Sequence, residues 1–426
     1  MVTYSDSQML ARALLLSPPK RIVISGPSGF LGTRLLDEVI RGHQLRIEDG
    51  KPPGLVILLS SSPGRLMERL AVKYQDRTKT IRASRVDYFT QHSASEWVDQ
   101  LGAFGCGGPD SVFVNLAAVA GPVPNKIDGM HDVNYRGAVA AAQACAKLNF
   151  GHFIQSSTQA TVTERAGQVP YSRGKAMADF ALSRIKTMPV TIACLGLLYC
   201  KVARGAGQDH GAGKLNLTDL SLLPLTPVLG SGAAPLQPLE VSDAARRLLH
   251  LAVTDPASRP RQRSASRKVG AMLEQNADLR MYDAVGPETM TMIELLARFA
   301  ALQGKEKSFR PVHISYRTME KILNLQSLGN LNRQFVSLLR SEQDGLASPV
   351  LGDPTVFSSL IEDEPLLTLE EAMLPEKGNK RVFPYLKTLR WVIKQPKIIP
   401  LGLSLGFEIV ESWAMGRKGE DKRWSA

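Results

Sequence analysis

Short apolar runs alternate with amphipathic stretches from residue 21 to residue 199, and this alternation limits the possible folds more than any other feature of the chain. The runs RIVIS, GLVILLS, TIRASRVD, SVFVNLAA, HFIQSS and VTIACLGLLY read as strands. Several are nearly unbroken apolar segments, the pattern of strands buried on both faces. GTRLLDEVIRG, GRLMERLAVKY, GAVAAAQACAKL and YSRGKAMADFALSRI read as the helices between them. Strands joined by helices need crossover connections, and crossovers build a parallel sheet with helices on both faces. The expected class is therefore α/β, with a doubly wound parallel sheet.

The first strand-to-helix connection reads SGPSGFLG, with Gly26, Gly29 and Gly32 in a G-x-x-G-x-x-G spacing. The first glycine allows the tight turn, the second lets a pyrophosphate approach the backbone, and the third lets helix and strand pack closely. The helix that follows offers unpaired N–H groups and a partial positive charge to an anion. Glycines alone also serve plain turns, but after the first strand of an alternating pattern this spacing points to a dinucleotide held by Gly26, Ser28, Gly29, Phe30, Leu31 and Gly32. The second strand ends LLSSSPGR, so Ser60, Ser61 and Arg65 stand where an acid would accept from a ribose 2′-hydroxyl. Hydroxyls and a guanidinium suit a 2′-phosphate, which favours NADP(H) over NAD(H). Asp87, after the third strand, is placed either to approach the adenine or to cap a helix.

PYSRGK puts Tyr171 and Lys175 four residues apart, on one face of a helix. Thr158 lies thirteen residues before Tyr171, just past the end of a strand. A tyrosine at its ordinary pKa is a poor base at neutral pH. A neighbouring ammonium favours the phenolate, and the same lysine would reach a nicotinamide ribose. Thr158 would orient a substrate oxygen. Y-x-x-x-K by itself is common in amphipathic helices, and its conjunction with Thr158 and the glycine turn is what points to proton transfer.

These motifs together resemble the short-chain dehydrogenase/reductase superfamily: G-x-x-G-x-x-G after the first strand, NLAA on the fourth, VNYRG at the next helix start, SST after the fifth, then YSRGK. LQPLEVSDAA and YDAVGPETMTMIELL are similar to its extended and atypical branches. The resemblance spans roughly residues 20–310. It implies a Rossmann domain with a smaller C-terminal α/β substrate domain and a helical tail, catalytic roles for Thr158 (or Ser157), Tyr171 and Lys175, and cofactor contacts from Asn115, Leu116, Ala117, Ala118 and the structural asparagine Asn134. The short Thr158–Tyr171 connection, with FVSLLRSEQDGLAS and LLTLEEAM, is also similar to the group that includes the NAD(P)H-binding accessory subunit of mitochondrial complex I. That group implies a second reading, a cofactor-holding structural subunit of a larger organellar complex without turnover. Cys194-Leu195 replaces the Arg-Pro pair that the family often carries on its sixth strand, and RGAGQDHGAGK has no family counterpart.

The domain limits expected from these patterns are an N-terminal extension over 1–18, a cofactor domain over 19–205 with returning segments near 236–255 and 279–300, a substrate side over 206–345, and a helical tail over 346–426. The helix in LQPLEVSDAARRLLHLAV is expected to be capped near Ser242 or Asp243. DPASRPRQRSASRKVG, which contains the basic insertion 256–270, reads as a loose surface loop rather than an RNA site. The net charge of +12 is spread along the chain without interleaved aromatics, which argues for a solvated basic surface and against nucleic acid. Four cysteines without a C-x-x-C pair, and scattered histidines, argue for reduced buried thiols, no metal site and a reducing compartment, whether cytoplasm, mitochondrion or plastid. SDSQMLARALLLS makes a poor signal peptide, and IIPLGLSLGF is too short to span a bilayer. A small-molecule substrate is expected, with a homo-oligomer or a place in a complex left open.

Overall fold

The computed structural model describes residues 21–52, 54–74, 79–119, 129–162, 170–200, 221, 226–260, 272–314, 351–361 and 364–373. The N-terminal extension, the loop 201–220, most of the basic insertion and residues 374–426 lie outside this set. The chain runs β1 (Arg21–Ser25), α1 (Phe30–Glu48), β2 (Leu55–Ser60), α2 (Pro63–Tyr74), β3 (Ile81–Arg85), α3 (Ala94–Gly102) and β4 (Ser111–Asn115). A π-helical turn at Asp132–Gly137 leads into α4 (Ala138–Lys147), then β5 (His152–Thr158), α5 (Pro170–Leu182) and β6 (Val190–Leu195). The run VTIACLGLLY is not one strand: it breaks after Leu195 and resumes as β7 (Leu198–Tyr199). There follow β8 (Thr226–Leu229), β9 (Pro235–Leu236), β10 (Leu239–Glu240), α6 (Val241–Val253), β11 (Leu279–Ala284), β12 (Met290–Thr291), α7 (Met292–Leu302), β13 (Pro311–Ile314), α8 (Pro354–Ser359) and α9 (Leu369–Met373).

Seven strands form one parallel sheet in the order β11-β6-β5-β4-β1-β2-β3. This is the Rossmann-like α/β arrangement. Alternate residues feed two cores, because successive side chains of a strand leave opposite faces. Ile22, Ile24, Val56, Leu58, Val112 and Val114 meet α1 and α6 on one side. Val23, Ile57, Leu59, Phe113 and Phe153 meet α3 and α4 on the other, where Trp97 packs edge-on to Phe113. Each such side chain contributes roughly 1.5–3 kcal/mol by leaving water. The edge strand β3 is half polar, as an edge must be. In register, Ser25 lies opposite both Leu59 and Asn115, so the ends of β1, β2 and β4 are level. Strand order reverses at β1, and the crevice opens above these ends.

The segments after residue 235 return to this domain. The strand β11 extends the sheet beside β6, and α6 covers the face shared with α1. The cap of α6 is Glu240, not Ser242 or Asp243: its carboxylate accepts from Ser242 N at 2.6 Å and Asp243 N at 3.1 Å. Asp243 is instead fully buried, where it pairs with Arg246 and accepts from Leu367 N at 2.9 Å. A smaller cluster of Tyr199, Val228, Met290, Leu295, Leu296 and Phe299 packs around α7.

Over its described residues the tail carries two short helices, α8 and α9. Phe357, Leu360, Ile361 and Leu366 pack with α6 and β11, Phe357 fully buried, while Leu369 and Ala372 join the cluster around α7. The anchor is Arg247, at 0% exposure. Its Nε donates to Phe357 O at 3.0 Å, and its Nη2 donates to the carbonyls of Ser358 and Glu364. The basic insertion also begins as ordered structure. Arg259 is buried and donates to the Leu251 and Thr254 carbonyls, closing the end of α6 as cations at helix C-termini do. None of the four cysteines forms a disulfide, and all are buried. Among the described residues no helix is long and apolar enough to cross a membrane.

Candidate cofactor and proton-transfer site

The glycine turn takes its shape from steric necessity. Gly26 has φ +66°, and a Cβ there would come within 2.9 Å of the Leu116 and Ala117 backbone at the end of β4. At Gly32 a Cβ would lie 2.2 Å from Gly26 O, so the first turn of α1 rests directly on the loop. Gly29 N donates to Gly26 O at 3.1 Å, and Thr33 N to Gly29 O at 3.0 Å. The 19-residue helix α1 then starts at Gly29 with no side-chain cap and no acid in its first turn. Its first amides, at Phe30, Leu31 and Gly32, have no carbonyl within the helix to accept them. Ser28 is exposed beside them. An unneutralised helix N-terminus at a strand-order reversal is a site for an anion.

At the end of β2, Ser60 is buried and its Oγ accepts from Ser62 N at 3.2 Å, which shapes the turn into α2. Ser61 is exposed, as is Arg65 in the first turn of α2. Asp87 is exposed and starts a turn: its Oδ1 accepts from Phe89 N at 3.0 Å, and its carbonyl accepts from Thr90 N and Gln91 N.

Beneath the crevice a polar chain crosses the sheet. Ser25 Oγ donates to Asn115 Oδ1, and Asn115 Nδ2 donates to Gln155 Oε1 at 2.7 Å. The Leu116 and Ala117 amides point at Ser25 Oγ, at 3.1 and 3.2 Å. Asn115 thus faces into the sheet, Ala117 is buried, and Leu116 and Ala118 have more access to solvent. Asn134 is fully buried in the π-helical turn and exchanges two hydrogen bonds with the Val119 backbone, at 2.9 and 2.8 Å. It ties the loop after β4 to the helix entering α4. Asn134 acts here on backbone position, and Asn115 on the side chains of Ser25 and Gln155.

The proton-transfer residues come from β5 and α5. Thr158 is the last residue of β5 and half-buried, and its Oγ1 faces Ala160 N at 3.4 Å. Ser157, one residue earlier and on the opposite face, is buried and donates to Asp179 Oδ2 at 2.5 Å. Tyr171 is half-buried at the start of α5. Lys175, one turn on, is 1% exposed and donates to Ser156 O at 2.8 Å. Burial lowers its pKa to about 8, partly opposed by the Asp179 charge. Tyr171, Lys175 and Asp179 follow one another at four-residue steps, so the acid below the lysine was visible as helical spacing. Beyond Thr158, Gln159 Nε2 donates to Cys194 O at 2.8 Å and Asp283 Oδ1 at 3.1 Å, while Gly352 lies against both Gln159 and Asp283. This brings the tail to the end of the strand that carries Thr158, a juxtaposition for which the sequence has no local signal.

No protein-family profile and no curated protein matches the chain by sequence. Solved structures do match by shape. An epimerase, Mth375, from Methanothermobacter thermautotrophicus superposes with a TM-score of 0.53 at 14% identity, over 92% of this chain and 97% of that one. The Bordetella bronchiseptica enzyme WbmG, solved in complex with NAD, gives 0.50 at 13% identity, over 89% and 95%. The fold is that of the extended short-chain dehydrogenase/reductases.

Proposed function

We propose that this chain is an extended short-chain dehydrogenase/reductase that holds a nicotinamide dinucleotide and acts as an oxidoreductase or epimerase on a small-molecule alcohol or carbonyl. The observation that carries the reading is the turn from Gly26 to Gly32. It closes on the ends of β1 and β4 with no room for side chains, and leaves an uncapped, acid-free helix N-terminus at the point where strand order reverses. The amides of Phe30 and Leu31 would hold the pyrophosphate. Ser61 and Arg65 would hold a 2′-phosphate, because both are exposed at the end of β2 and the segment Ser60–Arg65 carries no carboxylate. The bound NAD of the Bordetella enzyme supports a nicotinamide dinucleotide. The preference for NADP(H) rests on Ser61 and Arg65.

The bound cofactor would supply or accept a hydride. This chain's own residues manage the proton. Tyr171 would donate or accept it at Oη, Thr158 Oγ1 would orient the substrate oxygen, and Lys175 would favour the phenolate. Burial holds Lys175 closer to neutrality than an exposed lysine, so its charge depends on pH in the range where such an enzyme works.

Titration of the purified chain with NADPH and NADH tests the reading. The expected result is tighter binding of NADPH, with the preference falling about tenfold in Arg65→Ala, as loss of one exposed charge-assisted contact implies. Tighter binding of NADH would remove the 2′-phosphate assignment. Binding of neither would remove the cofactor. With a substrate found by screening alcohols and carbonyls, Tyr171→Phe should abolish turnover while leaving cofactor binding in place. Cofactor that stays bound and shows no turnover on any substrate would favour the structural-subunit reading.

A further inference from the structure

The turn after β3 sends Tyr88 across the C-terminal edge of β2 to the glycine turn. Gly26 N donates to Tyr88 Oη at 3.0 Å, and the same hydroxyl donates to Leu59 O at 2.5 Å. Strand pairing between β1 and β2 ends at Ser25 and Leu59. Gly26 then turns away with φ +66°. The next backbone donor of β1 and the last free acceptor of β2 therefore part company, and a phenol fills the gap between them. The reach is about one and a half strand spacings, roughly 7 Å, the length of an extended tyrosine. Two things aim it. Asp87 fixes the turn through Phe89 N, and Trp97 Nε1 holds the turn's far end at Gln91 O, 3.2 Å away.

We propose that Tyr88 is a positioning residue for the adenosine half of the bound dinucleotide, its hydroxyl locking the glycine turn to the end of β2 and its ring flooring the space between Gly26 and Ser60. The proposal rests on the dinucleotide reading above and goes beyond it. Three consequences follow from the geometry. The Gly26 amide is committed to Tyr88, so the phosphates are left to the amides of α1. The distance between the pyrophosphate loop and the ribose-binding end of β2 is set by one covalent side chain rather than by solvent. The phenol also stays protonated, since burial pushes it well above the ordinary tyrosine range, and it remains able to donate to Leu59 O.

Tyr88→Phe keeps the ring and removes only the bridge. Binding of NADPH, 2′,5′-ADP and nicotinamide mononucleotide would be measured on the intact wild-type and variant chains. The expected result is a three- to thirtyfold loss for NADPH and for 2′,5′-ADP, as expected for a half-buried amide left without its acceptor, with nicotinamide mononucleotide changed less than twofold. Unchanged NADPH and 2′,5′-ADP binding would overturn the proposal. So would an equal loss for all three ligands, which would mark a general structural role. If the wild-type chain binds none of them, the dinucleotide reading fails, a result distinct from a failure of Tyr88. Should the variant not fold, hydrogen exchange on the wild-type chain decides. The Gly26 amide is expected to be protected in the free protein, and rapid exchange there would sink the bridge.

Discussion

Gly32→Ala and Gly64→Ala are the same chemical change in the first turns of two helices, and they should move stability in opposite directions. Alanine is favoured over glycine in a helix by up to about 1 kcal/mol. At Gly64, in α2, nothing lies within 4 Å of the added Cβ, so the propensity gain is free to appear. At Gly32 the Cβ would stand 2.2 Å from Gly26 O, 2.9 Å from Pro27 Cα and 3.0 Å from Pro27 C. All three are backbone atoms that no rotamer change can move. Overpacking of this kind costs about 1–3 kcal/mol, and contact with a fixed carbonyl puts it at the upper end. After the propensity gain, Gly32→Ala should lose roughly 2 kcal/mol, and Gly64→Ala should gain roughly 0.5–1 kcal/mol. At about 2–4 °C per kcal/mol for a domain of this size, thermal melts would show a fall of about 4–8 °C for the first and a rise of about 1–4 °C for the second. Because relief of the clash must push α1 away from the loop, NADPH titration of Gly32→Ala should also show at least a tenfold loss, about 1.4 kcal/mol. Equal melting temperatures for Gly32→Ala and wild type, with equal NADPH affinity, would refute the close-packing argument.

The tail and the buried lysine give two further tests. Arg247→Met strands the Phe357, Ser358 and Glu364 carbonyls and leaves buried Asp243 with Arg246 as its ion-pair partner; a buried acceptor left without its donor costs about 1–3 kcal/mol, so limited proteolysis should cut within 351–373 much faster than in wild type, and an unchanged cleavage pattern would count against the anchor. Lys175 has a folded-state pKa lowered to about 8 against about 10.4 when unfolded. The unfolded chain therefore binds more protons between these values, and wild-type unfolding free energy should rise from pH 8 to pH 10 through this group. Urea melts of Lys175→Met should lack that part of the rise, and parallel pH curves would show that Lys175 is not desolvated as described.

Much of this protein is written in local pattern. Six strand runs and the G-x-x-G-x-x-G turn mark the parallel sheet because burial on both faces and close helix approach demand those residue types at short spacing. The stripe of Tyr171, Lys175 and Asp179 is legible for the same reason, since a helix brings every fourth residue to one face. Tertiary structure decided the rest. Which carboxylate caps α6 depended on backbone direction at Glu240, and Asp243 was claimed by Arg246 and by Leu367 N from a segment more than a hundred residues away. Arg247 reads as an ordinary exposed helix cation until the tail folds over it, and Arg259 reads as part of a loose basic run until the end of α6 offers it carbonyls. Tyr88 looks like an unremarkable aromatic after an edge strand, and becomes the link between the glycine turn and β2 only when β3 is laid beside β2. Periodicity is a property of neighbours along the chain and can be read from it. The partner of a buried polar group is chosen by which distant backbone arrives beside it, and only the assembled fold supplies that.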